Sequence, residues 1–193
     1  MQPTVSKPII FEGIGLHTGI QSKLTVLPAD IDFGICFKRL DIHCDYKYIP
    51  ADIGNVVNSE LCTLVANSNG ISVSTIEHLM AALAGCGINN ALLEIDGPEV
   101  PILDGSALAF VKGILNTGIK LQEQSVKAVR VLRKYEYKQE LASAKFEPSA
   151  NPKMSFSIEF SEEAIGAQSK TLDMSNGSFI RELCSSRTFC RYS

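Results

Sequence analysis

Between Ser74 and Gly85 the chain reads Ser-Thr-Ile-Glu-His-Leu-Met-Ala-Ala-Leu-Ala-Gly. Ile76, Leu79, Met80 and Leu83 fall on one stripe at helical spacing, so a helix here must bury that stripe against a partner. Thr75, Ala81, Ala82 and Gly85 lie around His78 at i−3, i+3, i+4 and i+7, which leaves the histidine on a nearly bare face. The partner has to come from short segments on either side. Residues 22–27, 34–40 and 61–66 read as strands before the helix, and 91–95 as a buried strand after it. A second helix is expected from Ser106 to about Leu115, stopped by Asn116-Thr117-Gly118. Strands mixed with two helices predict an α+β fold in which helices layer on a sheet.

Residues 121–125, Leu-Gln-Glu-Gln-Ser, read as a polar linker. They divide a first α+β domain, 1–121, from a second region, 122–193. In the second region Met154, Phe156, Ile158 and Phe160 alternate with polar residues and predict a half-buried strand. Residues 142–147 and 126–137 are expected to pair with it. A short helix is expected from Phe179 to Cys184, opened by Asn176-Gly177-Ser178.

The 193 residues carry a net charge of −3. Residues 1–125 hold 7 Lys and Arg against 13 Asp and Glu, and residues 126–193 hold 11 against 8. An acidic first part without a basic stripe argues against nucleic acid as a partner. No apolar run approaches the ~20 residues that a membrane-spanning helix needs. The N-terminal residues lack the apolar core of a signal peptide, so a cytoplasmic location is expected. The six cysteines form no Cys-x-x-Cys pair and are expected to be free, packed thiols.

Glu77 and His78 are the chemically suggestive pair. An imidazole among small residues can be approached closely by a metal ion and a substrate. A neighbouring carboxylate can take a proton from water. The same residues admit a structural explanation. Ser74-x-x-Glu77 is a capping-box pattern, in which Glu77 would reach back to the Ser74 amide, and His78 could be an ordinary half-buried histidine.

Further segments surround this pair: Gly13-Ile14-Gly15-Leu16-His17-Thr18-Gly19, Glu60-Leu61-Cys62-Thr63, the Pro98 to Ser106 loop with its Asp-Gly-Ser ending, and Ser186-Arg187-Thr188-Phe189. Together, and in this order, they resemble the zinc-dependent deacetylase family that removes the acetyl group from UDP-3-O-acyl-N-acetylglucosamine in lipid A synthesis. The resemblance implies two similar domains, each a sheet with two helices, the second incomplete in this chain. It implies that His78 is a Zn2+ ligand, Glu77 the general base and Thr188 the oxyanion-supporting threonine. It also places Leu61, Cys62 and Phe189 near a UDP-sugar lipid substrate. Asp104 and His17 lie in matching motifs but receive no chemical step. Loop capping and turn packing are the roles expected of them.

The histidines number three: His17, His43 and His78. The resemblance puts a further histidine ligand, an aspartate ligand and a second catalytic histidine after the Arg-Thr-Phe motif, beyond Ser193. The tail Cys190-Arg191-Tyr192-Ser193 departs from the small and apolar residues of the family. The chain therefore reads as truncated, with the remaining zinc ligands outside it. The competing expectation is a non-catalytic remnant that folds and binds a sugar nucleotide or a protein partner. Other catalytic classes lack their motifs. There is no Gly-x-Ser-x-Gly elbow and no phosphate-binding Walker loop, and Gly13-x-Gly15-x-x-x-Gly19 misses the dinucleotide fingerprint.

Overall fold

A computed structural model describes residues 1–175 and 177–188. The fold is α+β, with few helices and several sheets. The chain forms two compact units. One contains Met1–Val126 together with the described residues from Glu182 onward, and the other contains Lys127–Arg181.

The first unit is built on a five-stranded sheet ordered Ile9–Ile14, Gln21–Pro28, Ala91–Ile95, Ile35–Arg39 and Tyr48–Pro50. Ala91–Ile95 and Ile35–Arg39 run parallel, and the other pairs are antiparallel. Every second residue points inward: Leu24 and Val26, then Ala91, Leu93 and Ile95, then Phe37 and Ile49, all 0% exposed. That alternation gives the sheet one apolar face, which two helices cover. Helix α1, Glu77–Gly85, buries Leu79, Ala82 and Leu83. Helix α2, Leu108–Thr117, buries Phe110, Val111 and Ile114 and lies against α1. Met80, expected on the buried stripe of α1, is half-buried.

Gly113 lets α2 approach the sheet. A Cβ there would stand 2.6 Å from the Phe11 ring, which meets Phe110 edge-on at 4.8 Å between centroids. Gln2–Val5 pairs with Ile119–Gln122. This small ribbon is tied to the sheet through buried Asn90, whose amide donates to Gln2 Oε1 and Gln122 Oε1 while its Oδ1 accepts from the Gly34 amide. A third sheet joins Val56–Val57, Leu64–Ala66 and Ser72–Val73. The strand expected over 61–66 thus starts only at Leu64. Leu61 has φ +61°, which breaks an extended strand.

The second unit consists of two hairpins, Tyr135–Gln139 with Ala142–Phe146 and Lys153–Glu159 with Ala167–Asp173. The Met154 strand therefore pairs with Ala167–Asp173 and not with residues 142–147. The latter turn back on their own neighbour through Glu140 and Leu141. Met154, Phe156 and Ile158 are 46%, 52% and 42% exposed, so the alternation is present without the burial expected of it. Residues Phe179–Leu183 form one turn of π-helix where a short helix was expected. No helix of the described residues is long and apolar enough to cross a membrane.

Candidate active site

Glu77 opens α1 and His78 follows it, both half-buried. The capping box does not form. Ser74 is extended, bridged to Glu99, with its amide on the Pro98 carbonyl at 3.0 Å. Thr75 adopts φ +55°, Ile76 becomes the N-cap, and the start of α1 has no side-chain cap. The Glu77 carboxylate is directed elsewhere: Oε2 accepts from the Thr63 amide at 2.9 Å. The Thr63 carbonyl in turn accepts from the Ile76 amide at 3.3 Å. One carboxylate oxygen is thereby oriented, and the other takes no hydrogen bond from the described residues. The fixed oxygen ties the Leu61-Cys62-Thr63 segment to the helix that carries the acid and the imidazole.

Leu61 is 92% exposed, and Cys62 is half-buried, with its carbonyl accepting from Ser59 Oγ at 2.7 Å and its thiol 2.9 Å from the same hydroxyl. In the Arg-Thr-Phe motif, the Thr188 amide donates to the Gly105 carbonyl at 2.9 Å. Arg187 pairs with Asp104 at 3.5 Å. The Ser106 hydroxyl and amide, with Arg187 beyond them, hold the Asp104 carboxyl below the ordinary range. Asp104 thus caps its loop, as expected. Phe189 lies outside the described residues.

The residue that sequence reasoning missed is Glu99. Its side chain is buried, 1% exposed, at the centre of the segments just described. Oε1 accepts from Thr75 Oγ1 at 2.7 Å and from the His17 amide at 3.0 Å. Oε2 accepts from the Thr18 amide and from Thr18 Oγ1, both at 2.8 Å. Burial by itself would raise the carboxyl's proton affinity. The donors from His17, Thr75 and Thr18 outweigh it and lower the pKa to about 2, so the group is a buried anion with a full set of donors. Gly15 is required for this arrangement, because a Cβ there would lie 2.3 Å from Glu99 Oε2. His17 contributes its amide, and its side chain is exposed. The one sequence signal for Glu99 was an acid set in the apolar run Pro98 to Leu103.

Hydrogen bonds therefore link all five motif segments within one unit. Residues 60–63 join 74–85 through Glu77, 74–85 and 13–19 join 98–106 through Glu99, and 98–106 joins 186–188 through Gly105. The match to known proteins covers the same segments. The model of the family described as LpxC, UDP-3-O-acyl N-acetylglycosamine deacetylase, matches residues 2–193. The chain belongs to this family.

Within the deacetylase family, the chain is 43% identical over 188 residues to a UDP-3-O-acyl-N-acetylglucosamine deacetylase of Geobacter sp. (strain M21), covering 97% of this chain and 61% of the relative. It is 40% identical to the protein of the same name in Phenylobacterium zucineum (strain HLK1), with 97% and 64% covered. For Vibrio campbellii (strain ATCC BAA-1116) the identity is 38%, with 97% and 62% covered. The chain thus spans less than two thirds of the length of these curated relatives.

The deacetylase family implies a metal. Among the described residues, no three His, Cys, Asp or Glu side chains are grouped to hold a metal ion. A catalytic zinc takes about three protein ligands, and the described residues around His78 do not supply them. The described cysteines complete no such ligand group. Burial, with Cys184 nearby, pushes the Cys86 thiol up to about 11.

Proposed function

We propose that this chain is the Glu-His portion of an amide hydrolase that removes the N-acetyl group of UDP-3-O-(3-hydroxyacyl)-N-acetylglucosamine, releasing acetate, in the cytoplasm. Amide hydrolysis needs a base for the attacking water and a donor for the tetrahedral oxyanion. Glu77 supplies the base at the oxygen that Thr63 does not hold. Thr188, anchored by its amide to Gly105, supplies the donor through its hydroxyl. Leu61, Cys62 and Phe189 line the substrate. His78 is one ligand of a zinc ion whose other ligands lie outside the described residues. In the same reading, 1–121 is a complete sheet-and-two-helix domain and 122–193 is part of a second domain of that type.

The observation that carries this reading is the hydrogen-bonded linkage of all five motif segments through Glu77, Glu99 and Gly105, in a chain whose family membership covers residues 2–193. The test joins this chain to the C-terminal remainder of the Geobacter relative and measures acetate release from the nucleotide-sugar substrate. Turnover is expected, and Glu77→Gln should reduce it by roughly a hundredfold or more with the fold intact. A folded, zinc-loaded chimera without turnover would overturn the proposal. One observation favours a second reading, the absence of a grouped ligand set among the described residues. In that reading the 193-residue chain binds a sugar nucleotide or a protein partner without turning it over. Zinc content and acetate release of the chain by itself separate the two.

A further inference from the structure

Glu99 has no place in the chemistry proposed above, yet it is the most heavily engaged acid of the first unit. It sits on a different segment from every residue it holds. Its Oε1 is shared between the His17 amide and the hydroxyl of Thr75, two residues before Glu77. Its Oε2 is shared between the amide and hydroxyl of Thr18. The residue it grips on the helix side is the least comfortable one in the segment. Thr75 is β-branched and stands at φ +55°, a conformation such residues adopt only when their surroundings impose it. The surroundings here are specific. Ser74 is clamped between the Pro98 carbonyl and the Val100 amide, and Thr75 Oγ1 is bonded to Glu99. The reversal at Thr75 turns an extended strand into the first turn of α1, so it sets the direction in which Glu77 and His78 leave the helix.

We propose that Glu99 is a positioning residue for the Glu77–His78 pair. Its carboxylate locks the His17–Thr18 turn and the left-handed Thr75 into one arrangement, and through Thr75 it fixes where α1 begins. An amide cannot replace it. Four donors converge on its two oxygens, and a glutamine would offer one acceptor oxygen and an NH2 that meets donors. The inference rests on the deacetylase reading only for what the positioned pair does, and the coupling itself is a property of this chain.

The test uses the 193-residue chain, isotope-labelled, with Glu99→Gln and Thr75→Val. A core variant, Ile49→Val, controls for general loss of stability. Three signals are followed: amide exchange at His17 and Thr18, the Thr63 amide resonance that reports the Glu77 bond, and the His78 ring resonances. Glu99→Gln should speed exchange at His17 and Thr18 by roughly tenfold or more and shift both the Thr63 and His78 signals. Thr75→Val, which leaves the carboxylate in place and removes only the link to the helix, should shift Thr63 and His78 in the same direction. Ile49→Val should move neither. If Glu99→Gln accelerates exchange while Thr63 and His78 stay put, Glu99 only anchors the turn and the proposal fails. If Glu99→Gln does not fold, Thr75→Val decides alone, and unmoved Thr63 and His78 signals overturn it. None of these signals requires turnover, so a chimera that fails to release acetate leaves this result standing, and the converse holds as well.

Discussion

Acid should destabilise the first unit through Glu99 more than through any other carboxylate. The group binds its proton at about 2 when folded and at about 4.5 when free, because burial is outweighed by donors from His17, Thr75 and Thr18. A carboxyl depressed by folding contributes stability that is complete above its unfolded pKa and is lost as pH falls toward its folded one. The window is therefore pH 5 to 2, and the contribution at neutral pH is roughly 3 kcal/mol. Asp41 and Asp104 are also depressed, by Arg39 and by Ser106 respectively, but each is about a third exposed and screened by solvent. Urea titrations of the wild type and of Glu99→Gln at pH 7, 5, 4 and 3 isolate the difference. The wild type should lose most of that stability across the window. The variant should start lower and decline less, so that the two curves converge in acid. Carbon-13 titration of the Glu99 carboxyl should show it still ionised at pH 3. A midpoint near 4.5, or parallel pH profiles for the two proteins, would refute the reasoning.

Gly15→Ala forces a Cβ to 2.3 Å from Glu99 Oε2 and 2.5 Å from Thr18 Oγ1, and should cost about 3 kcal/mol or more in a denaturant titration, through overpacking and displaced charged hydrogen bonds. Leu61→Gly removes a 92% exposed side chain from φ +61°, so thermal melting should show a change between neutral and about 1 kcal/mol more stable, while the chimera loses turnover. Glu77→Ala leaves the Thr63 amide without its acceptor and should lower stability by about 1–2 kcal/mol, whereas Glu77→Gln, which keeps an acceptor, should stay within about 1 kcal/mol of the wild type in the same titration. Limited proteolysis should cut first within Lys127–Arg181, where Val129 and Leu132 are 96% and 78% exposed, and should spare Met1–Val126. Cleavage beginning inside α1 or α2 would contradict the last of these.

The parts of this molecule that could be read from sequence are those in which a local pattern and a long-range partner agree. The apolar stripe of α1 and the alternation of residues 22–27 and 91–95 each demand one buried face, and the fold gives it to them. The Asn116-Thr117-Gly118 stop is equally local, with Gly118 at φ +90° ending α2. The capping box failed because its pattern is satisfied by any Ser and Glu three apart, and here Ser74 was already committed to a parallel bridge with Glu99. Pairing in the second unit failed for a related reason. Residues 167–173, Ala-Gln-Ser-Lys-Thr-Leu-Asp, carry too little apolar alternation to announce a strand, so nothing local marked them as the partner of the Met154 strand. Glu99 was illegible because its burial depends on donors drawn from residues 17, 18 and 75, far apart in the chain.

The backbone suggests why the missed residue matters. Among the described residues, five non-glycine residues have positive φ: Asp32, Leu61, Thr75, Leu103 and Glu140. Asp32, Leu103 and Glu140 lie in turns, where such angles arise from chain reversal. The other two, Leu61 at +61° and Thr75 at +55°, fall within the motif segments that Glu77 and Glu99 hold. Each such residue costs on the order of 1–3 kcal/mol, and the cost must be offset by contacts the segment cannot make alone. Thr75 obtains them from Glu99, and the segment next to Leu61 obtains them from Glu77 through Thr63. In this site the proposed base, Glu77, and the buried acid, Glu99, thus share one physical task. Each is a carboxylate from one segment holding the strained backbone of another, and removing either should loosen the same first turn of α1.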